Sequence, residues 1–276
     1  MNELSQMVGK NKRMKRLFSD GKGVFVPIDD FLISGPYNNE IDIGNRIRHI
    51  INGKPDALLG YIGAAKNYAE TIGKIPYILN LTTSSALSDV THKFLCTSFE
   101  QALQIDAEAV AVHVNVSSKY EREMLQVLGE TADKCCRYGL PLMAIIYPRT
   151  EGEDGDYNKM KNLNPQNYAK LLAHAVHIAV ELGADIIKTQ YSGRKETFAR
   201  VVDAACGNPL LIAGGEVCTE EEIIKTACDA VEVGASGVCI GRNVFLNQYP
   251  NKIIHFLSLA VHDNMSFDKI INLKKE

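Results

Sequence analysis

The stretch Glu181-Leu-Gly183-Ala-Asp-Ile-Ile-Lys188-Thr189 contains the pattern from which the fold can be predicted. Its first two residues, Glu181 and Leu182, end a segment with helical spacing. Gly183 follows, and a short, mainly apolar run comes after it. A glycine just past a helix commonly adopts the left-handed conformation that ends the helix. An apolar run of this length is typical of a strand buried on both faces of a parallel sheet. The stretch therefore predicts a helix, a turn and a buried strand.

The same pattern recurs along the chain, at Gly73, Gly139, Gly207 and Gly234. Collecting the apolar runs gives eight predicted strands, which are Val24–Ile28, Asp56–Ile62, Tyr77–Leu81, Ala109–Val114, Pro141–Tyr147, Asp185–Thr189, Pro209–Ala213 and Gly237–Gly241. Eight strands alternating with helices over about 250 residues predict a (β/α)₈ TIM barrel in the α/β class. We expect one domain over residues 1–276, with short N-terminal and C-terminal helical extensions. A doubly wound open sheet remains the alternative, because a strand count does not prove closure.

Local signals mark where several helices and loops begin. Thr219-x-x-Glu222 and Ser98-x-x-Gln101 have capping-box spacing, and Asn164 precedes a proline suited to the first helical position. The polar stretch Arg149–Asn164 is the longest loop candidate and follows the fifth predicted strand. In a barrel this loop is expected to lie over the mouth.

The composition narrows the class of protein. The chain has 276 residues, is 46% hydrophobic and has a formal net charge of −3, so no global positive field attracts nucleic acid or anionic lipid. Seven cysteines without a Cys-x-x-Cys pair indicate reduced thiols. We find no signal-peptide pattern in the first thirty residues and no apolar run near the roughly 20 residues that span a bilayer. The expectation is a cytoplasmic protein without nucleic-acid or membrane partners.

Polar residues occupy the ends of the predicted strands, where the chemistry of such barrels is located. In chain order they are Asp29 and Asp30, Thr82 and Thr83, His113 and Asn115, Tyr147, Lys188, Gly214-Gly215, and Gly241-Arg242. In a closed barrel they converge on one mouth.

Lys188 is the most informative of these residues, because it interrupts an otherwise apolar strand and lysine is almost never fully buried. Burial is expected to lower the pKa of its amine, which makes the amine nucleophilic toward a carbonyl and able to form a Schiff base. The alternative is an ammonium group that reaches solvent at the strand end or pairs with a carboxylate.

Gly214, Gly215, Gly241 and Arg242 predict a phosphate site. They follow the last two strands, where backbone N–H groups of such barrels often bind phosphate. Glycine lets an anion approach the backbone closely, and Arg242 adds a forked cation. Alternatively, both glycine positions are ordinary tight turns.

Other strand-end residues have two interpretations each. Tyr147 is either an acid/base or an aromatic plug, and Asp29 is either a site carboxylate or a helix cap. His113 is either a substrate contact or a hydrogen-bonded interior histidine. No cluster of histidines and carboxylates at the strand ends has metal-ligand spacing, which disfavours a zinc-dependent aldolase. We therefore predict no metal site.

Five motifs together resemble a known family. They are Val112-His-Val-Asn115, Pro141-Leu-Met-Ala-Ile-Ile-Tyr147-Pro-Arg149, Gly183-Ala-Asp-Ile-Ile-Lys188-Thr, Ile212-Ala-Gly-Gly215 and Gly237-Val-Cys-Ile-Gly-Arg242. In this order they look like the archaeal-type class I fructose-bisphosphate aldolases. They are equally similar to the related aminodideoxyheptulosonate synthases of the deoxyribose-phosphate aldolase superfamily. The resemblance runs from about Val24 to Phe245.

The resemblance implies a Schiff-base aldolase that needs no metal or organic cofactor. Lys188 would form the imine, Tyr147 would act as acid/base, and Asp29 would be the partner carboxylate. The glycine loops with Arg242 would bind phosphate, while Asp30 and His113 would contact substrate. The implied substrates are a phosphorylated ketose, such as dihydroxyacetone phosphate, and an aldehyde, and the implied assembly is a homo-oligomer.

The chain departs from the family pattern at two positions. It has Asp30 where the family commonly has histidine, and Thr150 where the family commonly has glycine. A transaldolase or biosynthetic aldolase acting on aspartate semialdehyde therefore remains an alternative. A thiolase-like relative and a non-catalytic barrel that binds a phosphorylated metabolite are further alternatives.

Overall fold

The computed structural model describes residues 3–30, 32, 42–150 and 164–275. Its barrel strands are β1 (Gly23–Pro27), β2 (Ala57–Gly60), β3 (Tyr77–Asn80), β6 (Ala109–Val116), β7 (Leu142–Pro148), β8 (Ile186–Thr189), β9 (Leu210–Ala213) and β10 (Gly237–Cys239). The two short strands β4 (Thr82–Thr83) and β5 (Phe94–Leu95) form an antiparallel hairpin after β3.

The eight parallel strands close into a barrel in the order β1-β10-β9-β8-β7-β6-β3-β2. Strand β1 pairs with both β2 and β10, which joins the first strand to the last. The predicted (β/α)₈ barrel is confirmed and the open-sheet alternative is wrong. Each of the eight predicted strands matches one barrel strand to within about three residues at either end.

Helices cover the outside of the barrel. They are α1 (Glu3–Leu17), α2 (Ile43–Asn52), α3 (Ile62–Asn67), α4 (Ala69–Ile72), α5 (Phe99–Gln104), α6 (Glu121–Tyr138), α7 (Pro165–Glu181), α8 (Lys195–Asp203), α9 (Glu220–Glu232), α10 (Arg242–Phe245), α11 (Pro250–Val261) and α12 (Phe267–Lys275). No helix in these ranges is long and apolar enough to cross a membrane. The loop predicted over Arg149–Asn164 lies mostly outside the described residues, since 151–163 are not described.

Two of the three predicted helix-capping signals are confirmed, and one is wrong. Thr219 and Glu222 form the predicted capping box at the start of α9. Asn164 caps α7 with proline in its first turn. Ser98 makes no side-chain cap bond at α5, so that prediction is wrong. The amide of Gln101, which would complete the box, bonds to other side chains of the surface instead.

Two apolar layers hold the barrel together. The outer layer lies between strands and helices, where side chains such as Val112, Ile187 and Phe198 are fully buried. The inner layer fills the barrel with inward-facing side chains such as Phe25, Ile145 and Leu211. Because side chains alternate between the two faces of a strand, one apolar run supplies both layers.

The seam between β1 and β10 requires glycine at position 237. Gly237 has φ +139°, and a Cβ atom there would lie 2.0 Å from the carbonyl oxygen of Gly23. Any side chain would therefore push apart the two strands that close the barrel.

Helices at the two ends of the chain pack on the barrel through ion pairs and apolar contacts. In α1, Lys10 Nζ lies 2.9 Å from Asp185 Oδ2, and Arg16 Nε lies 2.7 Å from Glu108 Oε1. Leu17, at the end of α1, is fully buried in the inner layer. In α12, Lys274 Nζ lies 2.9 Å from Glu220 Oε2.

The ion pair between His262 and Asp56 is partly buried. It predicts that the free energy of unfolding depends on pH. His262 Nε2 lies 2.9 Å from Asp56 Oδ2, which also accepts the backbone N–H of Val24 at 2.7 Å. The hydrogen bond to Asp56 raises the pKa of His262 above its usual value. The stabilisation is therefore fully present below the unfolded pKa, about 6.5, and is lost as pH rises through the higher folded pKa.

We expect His262→Gln to lower the free energy of unfolding by about 1 kcal/mol at about pH 5.5 and by less at about pH 8.5. Urea unfolding at both pH values measures the difference. His255→Gln is the control, because His255 is exposed on α11. An equal loss at both pH values would show that the charge on His262 does not contribute.

Candidate active site

The inward-facing rows of the barrel change from apolar to polar at the carboxyl ends of the strands. Four rows show the change: Ile78 is followed by Asn80, Ala111 by His113, Ile145 by Tyr147, and Ile186 by Lys188. A two-residue step along a strand keeps the same face. The polar side chains therefore lie directly above the apolar barrel interior and point toward one another.

A cavity of about 360 Å³ opens above this layer. All the site residues predicted from the sequence line it, and these are Asp29, Asp30, His113, Tyr147, Lys188, Gly214, Gly215, Gly241 and Arg242. They come from six strand ends and the loops that follow them, which are far apart in the chain. The barrel therefore brings the predicted residues together, while the role of each remains a prediction.

Lys188 lies on β8 at the floor of the cavity, next to the buried Cys239 of β10. Burial lowers the pKa of Lys188, but the neighbouring Cys239, Asp29 and Tyr147 raise it by more, so the net direction is upward. The prediction of a lowered pKa is wrong, because the barrel that buries the amine also surrounds it with groups that favour its charged form. The resting amine must therefore lose a proton before it attacks a carbonyl.

Asp29, which interacts electrostatically with Lys188, is the carboxyl group predicted to be its partner. Its Oδ2 accepts a hydrogen bond from Asn80 Nδ2 at 2.9 Å, which links the ends of β1 and β3 across the mouth. Burial raises the pKa of Asp29, against the lowering influence of Lys188 and Asn80. A carboxyl group with a raised pKa exchanges protons more readily near neutral pH.

Tyr147 and His113 form an aromatic pair on neighbouring strands, with ring centroids 5.1 Å apart and an angle of 60° between planes. Burial raises the pKa of Tyr147, so its phenol stays protonated and can donate. Burial and nearby cations lower the pKa of His113 well below its usual value. His113 is 7% exposed, and its Nε2 has no hydrogen-bond partner among the described residues.

The two glycine loops are tied together on the opposite side of the cavity. Arg242 Nη2 donates to the carbonyl oxygen of Gly215 at 2.8 Å. Asn243 Nδ2 donates to the carbonyl oxygen of Gly214 at 3.1 Å. Gly215 has φ +67°, and a Cβ atom on Gly214 would lie 2.8 Å from Ile240 Cγ2. Conformation and packing thus require both glycines, and Arg242 reaches the same loop with donors to spare.

Other strand-end residues have structural contacts. Thr82 Oγ1 accepts the backbone N–H of His113 at 2.8 Å, and Asn115 Nδ2 donates to the carbonyl oxygen of Thr91 at 2.7 Å. These bonds fasten the β4–β5 hairpin to β6.

Sequence reasoning missed several residues of the site. Asn80, Cys239 and Asn243 hold predicted site residues in place, and Lys93 and Arg149 line the cavity. Arg149 directly follows the Tyr147-Pro pair, and that position was a usable signal. Lys93 lies beside the hairpin strand β5, which the strand pattern did not reveal.

The cavity combines an amine, a phenol and a carboxyl group at the mouth of a (β/α)₈ barrel, a set suited to aldol chemistry through a lysine imine. Within the described ranges, no group of three or more His, Cys, Asp and Glu side chains is placed to hold a metal ion. The sequence model of the family described as "DeoC/LacD family aldolase" matches residues 23–247. The chain therefore belongs to this family.

Relatives agree with this assignment. The chain is 35% identical to the 2-amino-3,7-dideoxy-D-threo-hept-6-ulosonate synthase of Halobacterium salinarum, over 93% of this chain and 92% of that protein. It is 34% identical to the 2-amino-3,7-dideoxy-D-threo-hept-6-ulosonate synthase 1 of Archaeoglobus fulgidus, over 96% of this chain and 95% of that protein.

Solved structures point to the same enzyme class. A crystal structure of an archaeal fructose 1,6-bisphosphate aldolase superposes with a TM-score of 0.81 at 27% identity, covering 92% of this chain and 99% of that one. A Schiff-base-forming fructose-1,6-bisphosphate aldolase superposes with a TM-score of 0.80 at 26% identity, covering 91% and 99%. The chain is a class I aldolase, as the sequence predicted.

Proposed function

We propose that this aldolase makes or breaks a carbon–carbon bond in a phosphorylated ketose, with dihydroxyacetone phosphate or a related donor. The observation that carries the proposal is the position of Lys188 beside the glycine loops and Arg242 in one cavity. Lys188 lies on β8, and the two glycine loops follow β9 and β10, the next strands in the barrel order. Neighbouring strands lie about 4.8 Å apart, so a three-carbon phosphate spans the distance from the loops to the amine.

The reaction follows from these positions. Arg242 and the glycine loops hold the phosphate, Asp29 takes the proton of the Lys188 ammonium, and the free amine adds to the ketone. Tyr147 donates the proton with which the hydroxyl leaves as water, giving an iminium ion. The iminium accepts the electrons when the adjacent C–H bond breaks and its proton passes to the Tyr147 phenolate, or when the adjacent C–C bond breaks and an aldehyde leaves, and either step gives an enamine. The enamine attacks an aldehyde, and water then releases the product from Lys188.

A second candidate function is a transaldolase-like synthase that uses aspartate semialdehyde as acceptor. The two relatives described above, at 35% and 34% identity, carry the name of an aminodideoxyheptulosonate synthase. Asp30 also favours it, because its buried Oδ2 has no hydrogen-bond partner among the described residues and faces the cavity. An acceptor with an ammonium group would supply the partner.

Borohydride trapping tests the proposal. We expect incubation with dihydroxyacetone phosphate and sodium borohydride to add the mass of the reduced donor to the peptide containing Lys188. Product analysis with glyceraldehyde 3-phosphate and with aspartate semialdehyde then distinguishes the two candidate functions. Binding of phosphorylated ketose without trapping would identify a non-catalytic barrel, and cleavage of a thioester would identify a thiolase-like enzyme.

We further propose that the protein works in the cytoplasm as a homo-oligomer and that residues 1–276 form a single aldolase unit. The sequence supports a reducing compartment, because its seven cysteines are an odd number and include no Cys-x-x-Cys pair. Leu87, Phe94 and Leu95 support self-association, because these apolar side chains of the hairpin region are 98%, 49% and 48% exposed. Light scattering of the purified protein measures the number of subunits, and a monomer would contradict this part of the proposal.

Arg242→Ala is expected to weaken the binding of phosphorylated donor by about 10- to 150-fold, because a charge-assisted bond to phosphate is lost. The donor dependence of borohydride trapping measures the effect. Arg200→Ala is the control, because Arg200 is exposed on α8 and outside the cavity. Unchanged donor affinity in Arg242→Ala, with an unchanged melting temperature, would remove Arg242 from the phosphate site.

A further inference from the structure

Asn80 is a buried amide at the end of β3 that contacts one of the proposed reacting groups. The residue is 2% exposed, and it is not among the described residues that line the cavity. Its Nδ2 donates to Asp29 Oδ2 at 2.9 Å, and its Oδ1 accepts the backbone N–H of Thr82 at 3.2 Å. Any effect of Asn80 on a ligand in the cavity is therefore expected to pass through Asp29.

Two partners of opposite kind fix the orientation of this amide. The backbone N–H of Thr82 can only donate and needs Oδ1 of Asn80, whereas an ionised Asp29 carboxylate can only accept and needs Nδ2. Turning the amide over would place donor against donor and acceptor against acceptor. Thr82 is itself held in place, because its Oγ1 accepts the backbone N–H of His113 on β6 at 2.8 Å. The end of β3 thus presents a fixed N–H donor to Asp29.

Asp29 lies among charged and titratable groups from several elements of the barrel. Besides the neighbouring Asp30, the groups that interact with it electrostatically are Tyr61, Tyr77, Lys93, Tyr147, Lys188 and Cys239. Burial raises the pKa of the three phenols and of the thiol, so these four groups stay protonated near neutral pH. The two lysines favour the ionised form of Asp29, whereas the charge of Asp30 opposes it.

The proposed reaction needs an ionised Asp29 at rest, because this carboxylate must accept the proton of the Lys188 ammonium. Burial raises the pKa of Asp29 and favours the form that cannot accept a proton, while Lys188 and Asn80 act in the opposite direction. The contribution of Lys188 disappears when its ammonium loses the proton. A primary amide does not titrate, so the hydrogen bond from Asn80 favours the carboxylate throughout the reaction.

We infer that Asn80 is a positioning residue, which holds the Asp29 carboxylate through Oδ2 and leaves Oδ1 to take the proton of Lys188. This inference rests on the proposed function and assigns the oxygen that reacts. The oxygen that accepts the N–H of Asn80 is the weaker base of the two, so the proton goes to the other one. In this step an N–H bond of the ammonium breaks, its electron pair stays on Nζ, and an O–H bond forms at Oδ1.

Asn80→Ser separates the two hydrogen bonds of the amide. A serine Oγ can still accept the backbone N–H of Thr82 in a local turn, but it is too short to reach Asp29. Loss of the donor raises the pKa of Asp29, so the acid limb of the pH profile should move upward by about one pH unit. We expect kcat/KM for dihydroxyacetone phosphate to be about tenfold below that of the wild type on this limb and within about threefold on the plateau.

The measurement is steady-state turnover against pH, with glyceraldehyde 3-phosphate or aspartate semialdehyde as acceptor. Dividing the value of the variant by that of the wild type at each pH cancels the titration of the substrates. The donor dependence of borohydride trapping should be unchanged on the plateau, because Arg242 and the glycine loops, which are assigned the phosphate, are intact. A uniform loss of kcat/KM at every pH, or an unchanged profile, would overturn the inference.

Thr82→Val is the matched control, because it loosens the same turn without removing the donor to Asp29. Valine keeps the backbone N–H that Asn80 accepts and removes the Oγ1 that holds His113. A lower melting temperature with a wild-type pH profile is expected. Equal shifts of the profile in Thr82→Val and Asn80→Ser would show that Asn80 only supports the turn, and would overturn the inference.

An NMR titration without substrate separates the inference from the proposed function. The carbon-13 signal of the Asp29 carboxyl group, assigned with Asp29→Asn, should titrate at higher pH in Asn80→Ser than in the wild type. Equal midpoints would overturn the inference, whereas a wild type that forms no imine with ketose phosphates would overturn the proposed function alone. If Asn80→Ser does not fold, the side-chain amide protons of Asn80 in the wild type decide. They should shift as Asp29 titrates, and a constant shift would overturn the inference.

Discussion

Lys188→Met is expected to lose carbon–carbon bond turnover by about 10⁴-fold or more, because no other step replaces the covalent imine. Methionine keeps an unbranched chain in the barrel row above Ile186 and removes only the amine. The variant should therefore fold, and its melting temperature should show this. The expected result is a folded barrel that binds ketose phosphate and forms no imine.

Mass analysis after borohydride reduction measures the loss of the imine directly. Lys93→Met is the matched control, since Lys93 and Lys188 both line the cavity and only Lys188 is assigned the imine. Trapping is expected to persist in Lys93→Met and to vanish in Lys188→Met. The opposite pattern would move the imine to Lys93, and labelling of Lys188→Met at the wild-type level would refute the assignment.

Tyr147→Phe is expected to lower turnover by about 10²- to 10⁴-fold, because general acid–base steps typically contribute that much. Phenylalanine keeps the ring that packs against His113 at 5.1 Å and removes only the hydroxyl. If Tyr147 were merely an aromatic plug, the variant would retain nearly wild-type turnover and stability. Borohydride trapping should survive in the variant, because solvent can supply some of the protons that dehydration requires.

Steady-state turnover, trapping and thermal melting on one preparation separate these interpretations. Tyr61→Phe serves as the control, because Tyr61 donates to Thr83 Oγ1 at 2.9 Å and does not line the cavity. Turnover of Tyr147→Phe within about threefold of the wild type would exclude the acid/base role. Proton transfer would then be assigned to Asp29 or Asp30, two of the carboxyl groups that line the cavity.

The barrel and the main site residues could be predicted from the sequence because they depend on short-range regularities. Glycines after five of the predicted helices and the apolar runs that follow mark the strands, and in a parallel barrel every strand ends at the same side. Asp29, Tyr147, Lys188 and Arg242 could therefore be assigned to one mouth without any contact being known. The resemblance of the motifs supplied the reaction class.

The tertiary structure decided the features that depend on distance between remote segments. Closure is a pairing of Gly23 with Gly237, which no local pattern specifies. The raised pKa of Lys188 depends on Cys239 and Asp29, which the barrel places near the amine from the ends of other strands. Lys93 belongs to the cavity only because a short hairpin folds over the barrel mouth. The alternation of side chains along a strand and the glycines that end helices are patterns over a few residues. Electrostatic interactions instead depend on distances in space, and only the closed barrel sets these distances.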